Sequence, residues 1–240
     1  MDMRFEELDW RRTPLGELTL RRRWDPAVHA DVHEIKLDDE FLMSSLFTVS
    51  ETRLGQLAVA EAPEGELDVA VGGLGLGYTA LAVLEEPRVR SVAVVDALGE
   101  VIEWHRRGLI PAGQRLGTDP RCHLVHADFF DLMRTGAPLD PESPGRRYHA
   151  IVVDIDHSPA HLLDPSNADF YESAGLRRIG ERLTPDGVFA LWSNDPPDDG
   201  FTARLAGHFA HARAEIVRFP NPLQGREATS TVYLASAPRD

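Results

Sequence analysis

The sequence predicts an α/β protein: a mainly parallel sheet with helices on both faces, closed by an antiparallel C-terminal hairpin. Three observations carry this. From Leu67 onward, apolar strand-like runs alternate with amphipathic helical stretches, the order that builds a parallel sheet covered on both sides. The segment Leu67-Asp-Val-Ala-Val-Gly-Gly-Leu-Gly-Leu-Gly77 breaks an apolar run into four glycines just before a helical pattern. Near the end, only Pro220–Ala228 separates the strand-like Ala214–Phe219 and Thr229–Ala235. That connection is too short for a crossover helix, so the pair is antiparallel.

At 240 residues the chain can bury a sizeable core, and residues 51–240 read as one nucleoside-cofactor-binding domain. Residues 1–50 differ in texture. Gly16–Trp24 and Val32–Leu37 alternate apolar with polar, as half-buried strands do, with turns at Asp25-Pro26 and Asp38-Asp39. A β-hairpin or small antiparallel sheet is expected there, followed by Phe41–Ser45. Ser50 is read as the N-cap of a helix running to about Glu61.

The expected strands of the main sheet are Leu67–Val71, Ser91–Val95, Cys122–His126, Ala150–Asp154 and Gly187–Trp192. Helices are expected around residues 77–86, 98–108, 129–134, 167–183 and 200–211, and a loop rich in Pro and Gly over Thr135–Arg147. A parallel sheet closed by an antiparallel hairpin points to the Rossmann-like class I methyltransferase fold. With the hairpin strands the sheet has seven.

A hydrophobic content of 42% with 27% charged residues is ordinary for a soluble protein. No apolar stretch reaches the roughly 18 residues that span a bilayer, and Met1–Glu7 lacks a basic region followed by an apolar core. A cytoplasmic protein without a membrane partner is expected. Cys122 is the sole cysteine, so an internal disulfide and any multi-cysteine metal site are excluded. The formal charge of −14 argues against a nucleic-acid partner. It suits a cationic small molecule, although acidic surfaces also simply keep proteins soluble. The one basic run, Arg21–Arg23, is too small to reverse the balance.

Glycines at a strand-to-helix turn let the backbone approach a ligand closely, which makes Gly72, Gly73, Gly75 and Gly77 cofactor-contact candidates. Nineteen residues after Gly77, a second apolar run ends in Asp96. An acid there can grip ribose hydroxyls or cap the next helix. Asp154 ends the most apolar strand and should face the crevice, where it can accept a proton or stabilise a cationic nucleophile. His157, whose ordinary pKa lies near neutrality, can act as a base. Asp156 follows on the same loop, and Trp192 and Asn194 end the fifth strand beside the crevice, as acceptor-pocket candidates. His157 and His161 with Asp154 and Asp156 lack a second cluster that would define a site, so no metal is expected. The glycine spacing alone also allows a NAD-dependent oxidoreductase. The C-terminal hairpin and Asp128 argue against that.

Taken together, four segments resemble spermidine synthases and their relatives. Val71–Gly77 is similar to the glycine motif GGxDGG. Asp96, followed by Glu100-Val-Ile102, resembles the acid that holds the ribose hydroxyls. His126–Phe130 resembles the segment whose acid, here Asp128, contacts the adenine amine. Ile151–His157 resembles the strand-four segment whose catalytic acid maps to Asp154. Phe170-Tyr171, Leu183–Phe189, Phe41–Ser45 and Ser50-Glu51 also fit the family. The resemblance implies group transfer from S-adenosylmethionine or decarboxylated S-adenosylmethionine to a small-molecule acceptor, an amine being one option. It also implies a homodimer, with the N-terminal strands one contact.

Two departures bear on function. The acid inside the family's glycine motif helps hold the amine end of the decarboxylated donor, and here that position is Gly75. An acid there would repel a methionine carboxylate, at a cost on the order of 4 kcal/mol at about 4 Å and an effective dielectric near 20. Gly75 removes one reason to prefer the decarboxylated form. The family's DxxDP stretch reads Asp154-Ile-Asp-His-Ser-Pro159, with His157 in place of the second acid. The expectation is therefore a spermidine synthase-like transferase that moves a methyl group to a small nucleophile. The alternatives are aminopropyl transfer from decarboxylated S-adenosylmethionine and a non-catalytic nucleoside-binding member.

Overall fold

The computed structural model describes residues 5–13, 16–221 and 223–239. The first four residues of the opening segment, read above as lacking a leader, lie outside them. The described residues form two sheets. The first is an antiparallel meander of β1 (Phe5–Thr13), β2 (Gly16–Asp25), β3 (Ala30–Leu37) and β4 (Glu40–Ser44). The second has seven strands: β5 (Leu67–Gly72), β6 (Val89–Asp96), β7 (Cys122–His126), β8 (Tyr148–Val153), β9 (Leu183–Ser193), β10 (Phe209–Asn221) and β11 (Arg226–Pro238). Its order is β10-β11-β9-β8-β5-β6-β7. The pairs β8–β9, β5–β8, β5–β6 and β6–β7 are parallel, while β11 runs antiparallel to both β9 and β10.

Burial on both faces explains the near-continuous apolar strands. Val69, Val71, Val92, Val94, Ala150 and Val152 share one core with the helices α1 (Val49–Glu61), α2 (Tyr78–Leu84), α3 (Gly99–Arg106) and α4 (Pro111–Leu116). The alternate residues Ala70, Ala93, Val95, Ile151 and Val153 belong to a second core, with α5 (Phe129–Thr135), α6 (Ser173–Arg182) and α7 (Asp199–His208). A single-residue slip in any strand would exchange its two faces. Leu18, Leu20 and Ile35 of the N-terminal sheet join the first core, so that sheet is packed against the α1–α4 face. Among the described residues no helix is long and apolar enough to cross a membrane.

Several expectations need correction. The N-terminal unit is the small antiparallel sheet, the second of the two forms expected, but it has a strand that the alternation did not mark. The extra strand β1 pairs with β2, and it is fastened to α3 where the Trp104 indole N–H donates to Asp9 at 2.8 Å. Arg21–Arg23 is no free basic patch: Arg21 pairs with Glu34, Arg22 with Glu6, and Arg23 with Glu34 and Asp25. Ser50 does not cap α1. The N-cap is Thr48, and the buried Ser50 hydroxyl instead meets that of Ser230 at 2.8 Å. The helix expected over 167–183 is two pieces, a 3-10 segment (Pro165–Tyr171) and α6, because Glu172 is extended (φ −91°, ψ 169°). The segment after α3 holds the short α4, begun by Pro111 at its first turn, where proline's missing N–H costs nothing.

Candidate functional site

The strand order reverses direction at β5, between its neighbours β6 and β8, and ligands of open α/β sheets bind at such a switch point beside the strand carboxyl ends. A cavity of about 240 Å³ opens there. Its polar wall includes Asp96, Asp128, Asp154 and His157, and its apolar wall includes Met43, Leu98, Phe129 and Trp192. A smaller cavity adjoins it, sharing Met43, Gly75 and Asp154 and adding Glu51 and Tyr78.

The glycine turn is shaped by close approaches. Gly73 has φ +95°, and a Cβ there would lie 2.1 Å from the Asp154 carbonyl oxygen. Gly75 has φ +47°, and its Cβ position is filled by the Met43 thioether, 2.5 Å from sulfur. Both conformations favour a residue without a side chain. Gly72 and Gly77 line neither wall of the larger cavity. Their Cβ positions are closed by the Phe129 ring and by Leu116 with His105. His105, buried with its pKa pushed down by desolvation, lies with Nε2 2.7 Å from the Gly75 carbonyl oxygen, which it holds as donor.

Asp96 braces the turn from β6. Its carboxylate accepts from the amides of Leu74 (2.8 Å), Gly75 (3.4 Å) and Leu98 (2.8 Å), so it both caps the next chain segment and lines the cavity. Burial pushes its pKa up against those bonds. Carboxylate oxygens accept more than one bond each, so acceptor capacity remains. Asp128 is the N-cap of α5, accepting from the Asp131 amide at 3.1 Å, and it too lines the cavity.

Asp154 follows β8 rather than ending it, held by its own amide to the Gly72 carbonyl (2.8 Å). Its Oδ2 accepts from the Thr79 hydroxyl at 2.7 Å. Glu51, on the first turn of α1, lines the small cavity beside it, and Oε2 is buried with no hydrogen-bond partner among the described residues. Burial pushes Glu51 up to about 8, reinforced by the Asp154 charge, and pushes Asp154 up to about 6. Two desolvated carboxylates facing one space cannot both ionise cheaply.

The remaining candidates divide. His157 is exposed on the rim and lines the cavity, and Trp192 lines it with Nε1 buried and unpartnered among the described residues. Asp156 is buried and does not line the cavity. It accepts from the Leu163 amide (2.7 Å) and the Tyr171 hydroxyl (2.8 Å), which fixes the loop after β8. Asn194 is exposed outside the cavity and braces the same loop, its amide donating to the His157 carbonyl at 2.7 Å. His161 lies against Asp195, with Nδ1 2.8 Å from Oδ2.

Glu51 belongs to no site motif of the sequence. The available signal was an acid on an apolar helix stripe, since Leu54, Gly55 and Ala58, at i+3, i+4 and i+7 from it, are buried. Met43, Leu98 and Phe129 carry no such signal. Apolar cavity walls look like core.

The sheet order, with its antiparallel β10–β11 pair, is that of the Rossmann-like class I methyltransferase fold. In sequence and in fold the chain is similar to spermidine synthases. No family model matches the sequence. A polyamine aminopropyltransferase of Pyrobaculum arsenaticum is 27% identical over 125 residues, half of this chain and 39% of that protein. That of Pyrobaculum neutrophilum is 25% identical over 193 residues, 78% of this chain and 59% of the relative. The matches therefore take in less than two thirds of either relative's length. Spermidine synthase from Thermotoga maritima superposes with a TM-score of 0.73 at 19% identity, over 99% of this chain and 75% of the other. A spermidine synthase bound to the transition-state analogue AdoDATO gives 0.72 at 18%, with the same coverage.

These relatives overturn the expectation of methyl transfer. The curated relatives are named as aminopropyl transferases and the structural ones as spermidine synthases. One missing acid at Gly75 is not a missing anionic site. The cavity beside Gly75 still carries Asp154 and Glu51.

Proposed function

We propose that the protein is an aminopropyltransferase that uses decarboxylated S-adenosylmethionine as donor and an amine of polyamine type as acceptor. The observation that carries this is the charge of the crevice. Glu51, Asp96, Asp128 and Asp154 line its two connected cavities, and neither an arginine nor a lysine does among the described residues. A donor whose tail is an ammonium and an acceptor that is an amine both suit such walls.

The residues fit the nucleoside. The glycine turn and Asp96 are placed for the ribose hydroxyls, and Asp128 with Phe129 for the adenine. The donor's sulfonium supplies the leaving group. The acceptor nitrogen attacks the aminopropyl carbon next to sulfur, the carbon–sulfur bond breaks, and its electron pair returns to sulfur, leaving a neutral thioether nucleoside. The nitrogen must lose one proton, and Asp154 is placed to take it. Its pKa of about 6 lies close enough to neutrality for proton exchange at working pH. His157 stands on the rim, and Trp192 walls off water. Holding nitrogen, carbon and sulfur in line supplies much of the remaining rate.

The test is turnover with decarboxylated and with intact S-adenosylmethionine against a series of diamines, read by mass spectrometry. An acceptor gaining one aminopropyl group together with release of the thioether nucleoside is expected. A methylated acceptor, or no product with either donor, would overturn the proposal.

A further inference from the structure

We infer that Glu51 is the group that selects the donor: its carboxylate, with that of Asp154, receives the ammonium end of the aminopropyl tail beside Gly75. This rests on the function proposed above and adds a residue whose role is specificity.

The geometry separates the two acids. Asp154 Oδ2 is engaged by the Thr79 hydroxyl, whereas Glu51 Oε2 is buried and unpartnered among the described residues. An orphaned carboxyl oxygen inside a protein is costly, and once ionised it can only accept, so the partner that completes it is a donor of hydrogen bonds. No side chain of the described residues supplies one. The space in front of Glu51 is bounded by Met43, Gly75, Tyr78 and Asp154, and it opens into the nucleoside cavity through the residues the two share. A group reaching Glu51 from there passes the glycine turn. A primary ammonium offers three donors and a positive charge, which match one free carboxylate oxygen beside a second acid. The tail of intact S-adenosylmethionine carries a carboxylate as well. With no lysine or arginine among the described residues on either wall, that carboxylate would face like charge without a partner.

Glu51 thus supplies the anionic contact that position 75 cannot. The residue comes from a helix outside the glycine turn, which is how the acid at the turn can be absent while the preference for an amine-ended donor remains.

The test is calorimetric binding of decarboxylated S-adenosylmethionine, intact S-adenosylmethionine and 5′-methylthioadenosine to the wild type, E51Q and E51D. The last ligand lacks the ammonium tail and reports the nucleoside site alone. In E51Q the decarboxylated donor should weaken by about 10- to 100-fold, as expected for loss of a charge-assisted contact. Methylthioadenosine should stay within about twofold, and E51D should recover part of the loss. Unchanged donor selectivity in E51Q would overturn the inference while leaving aminopropyl transfer standing. Equal loss of methylthioadenosine would also overturn it, by making Glu51 a support of the fold. A wild type that binds neither donor would overturn the proposed function itself.

Discussion

The Thr79 hydroxyl donates to Asp154 Oδ2 at 2.7 Å and lies 3.3 Å from the Glu51 carbonyl oxygen. One side chain at the start of α2 thus stands between the acid after β8 and the first turn of α1. A hydroxyl has one proton to give, and the shorter contact assigns it to the carboxylate. That bond favours the ionised form and opposes the burial that drives Asp154 upward. Thr79→Val keeps the shape and removes the donor. The acidic limb of the pH–turnover profile should move to higher pH, with stability falling by about 1–2 kcal/mol. An unmoved limb would mean that Asp154 is not the group titrating.

Asp154→Asn keeps the Thr79 contact possible but cannot accept a proton. Turnover should fall by two orders of magnitude or more, within the range by which positioned bases act, while methylthioadenosine binding is retained. Calorimetry beside a product assay separates the two. Unchanged turnover would remove Asp154 from the mechanism.

Gly73→Ala places a methyl group 2.1 Å from the Asp154 carbonyl oxygen, which is backbone, at φ +95°. Neither partner can yield without parting β5 from the segment after β8. The loss should be on the order of 2–4 kcal/mol, and nucleoside affinity should drop with it. Gly65→Ala is the control, since that site also has positive φ but nothing near its Cβ. Thermal melts of the pair report the clash above the backbone strain common to both.

Tyr171→Phe tests Asp156 as a brace. The Tyr171 hydroxyl donates to its carboxylate at 2.8 Å with both residues buried, so the variant should cost about 1–3 kcal/mol. The loop carrying His157 and Leu163 should loosen, raising KM for the acceptor more than it lowers kcat. A change in kcat alone would place Asp156 nearer the chemistry than its burial indicates.

How much of this was legible in the sequence follows from what each residue is asked to do. The strands from β5 to β9 were readable because burial on both faces requires runs such as Val92–Val95. The turn glycines stood out because Gly73 tolerates no Cβ. β1 escaped notice since Glu6, Glu7, Asp9, Arg11 and Arg12 leave little apolar alternation; ion pairing and the Trp104–Asp9 bond hold it instead. Asp156 and Asn194 were placed in the crevice by proximity along the chain, but the loop after β8 turns Asp156 inward and leaves Asn194 outside. Glu51 was hidden for the opposite reason. It belongs to none of the four motif segments and reaches the site only because α1 packs along α2 with Gly55 against the Thr79 carbonyl.

The last prediction concerns pH. Glu51 and Asp154 both have pKa values raised in the folded protein, to about 8 and about 6. The folded state therefore binds more protons than the unfolded chain between about pH 4 and 8, and stability falls as pH rises through that window. Buried His33 and His105, pushed down by desolvation, act in the other direction as pH falls through their ordinary value. A raw stability curve mixes these contributions, but the difference between E51Q and the wild type isolates the acid. At pH 5 the two should melt alike, because Glu51 is protonated in the fold. At pH 8 E51Q should be the more stable, by an amount on the order of 2–4 kcal/mol. Adding the decarboxylated donor at pH 8 should reverse the order, since an ammonium against ionised Glu51 removes the cost that the empty carboxylate carries. Parallel curves at every pH would show that the Glu51 carboxylate is solvated, and the pair would lose its place as the anionic wall of the site.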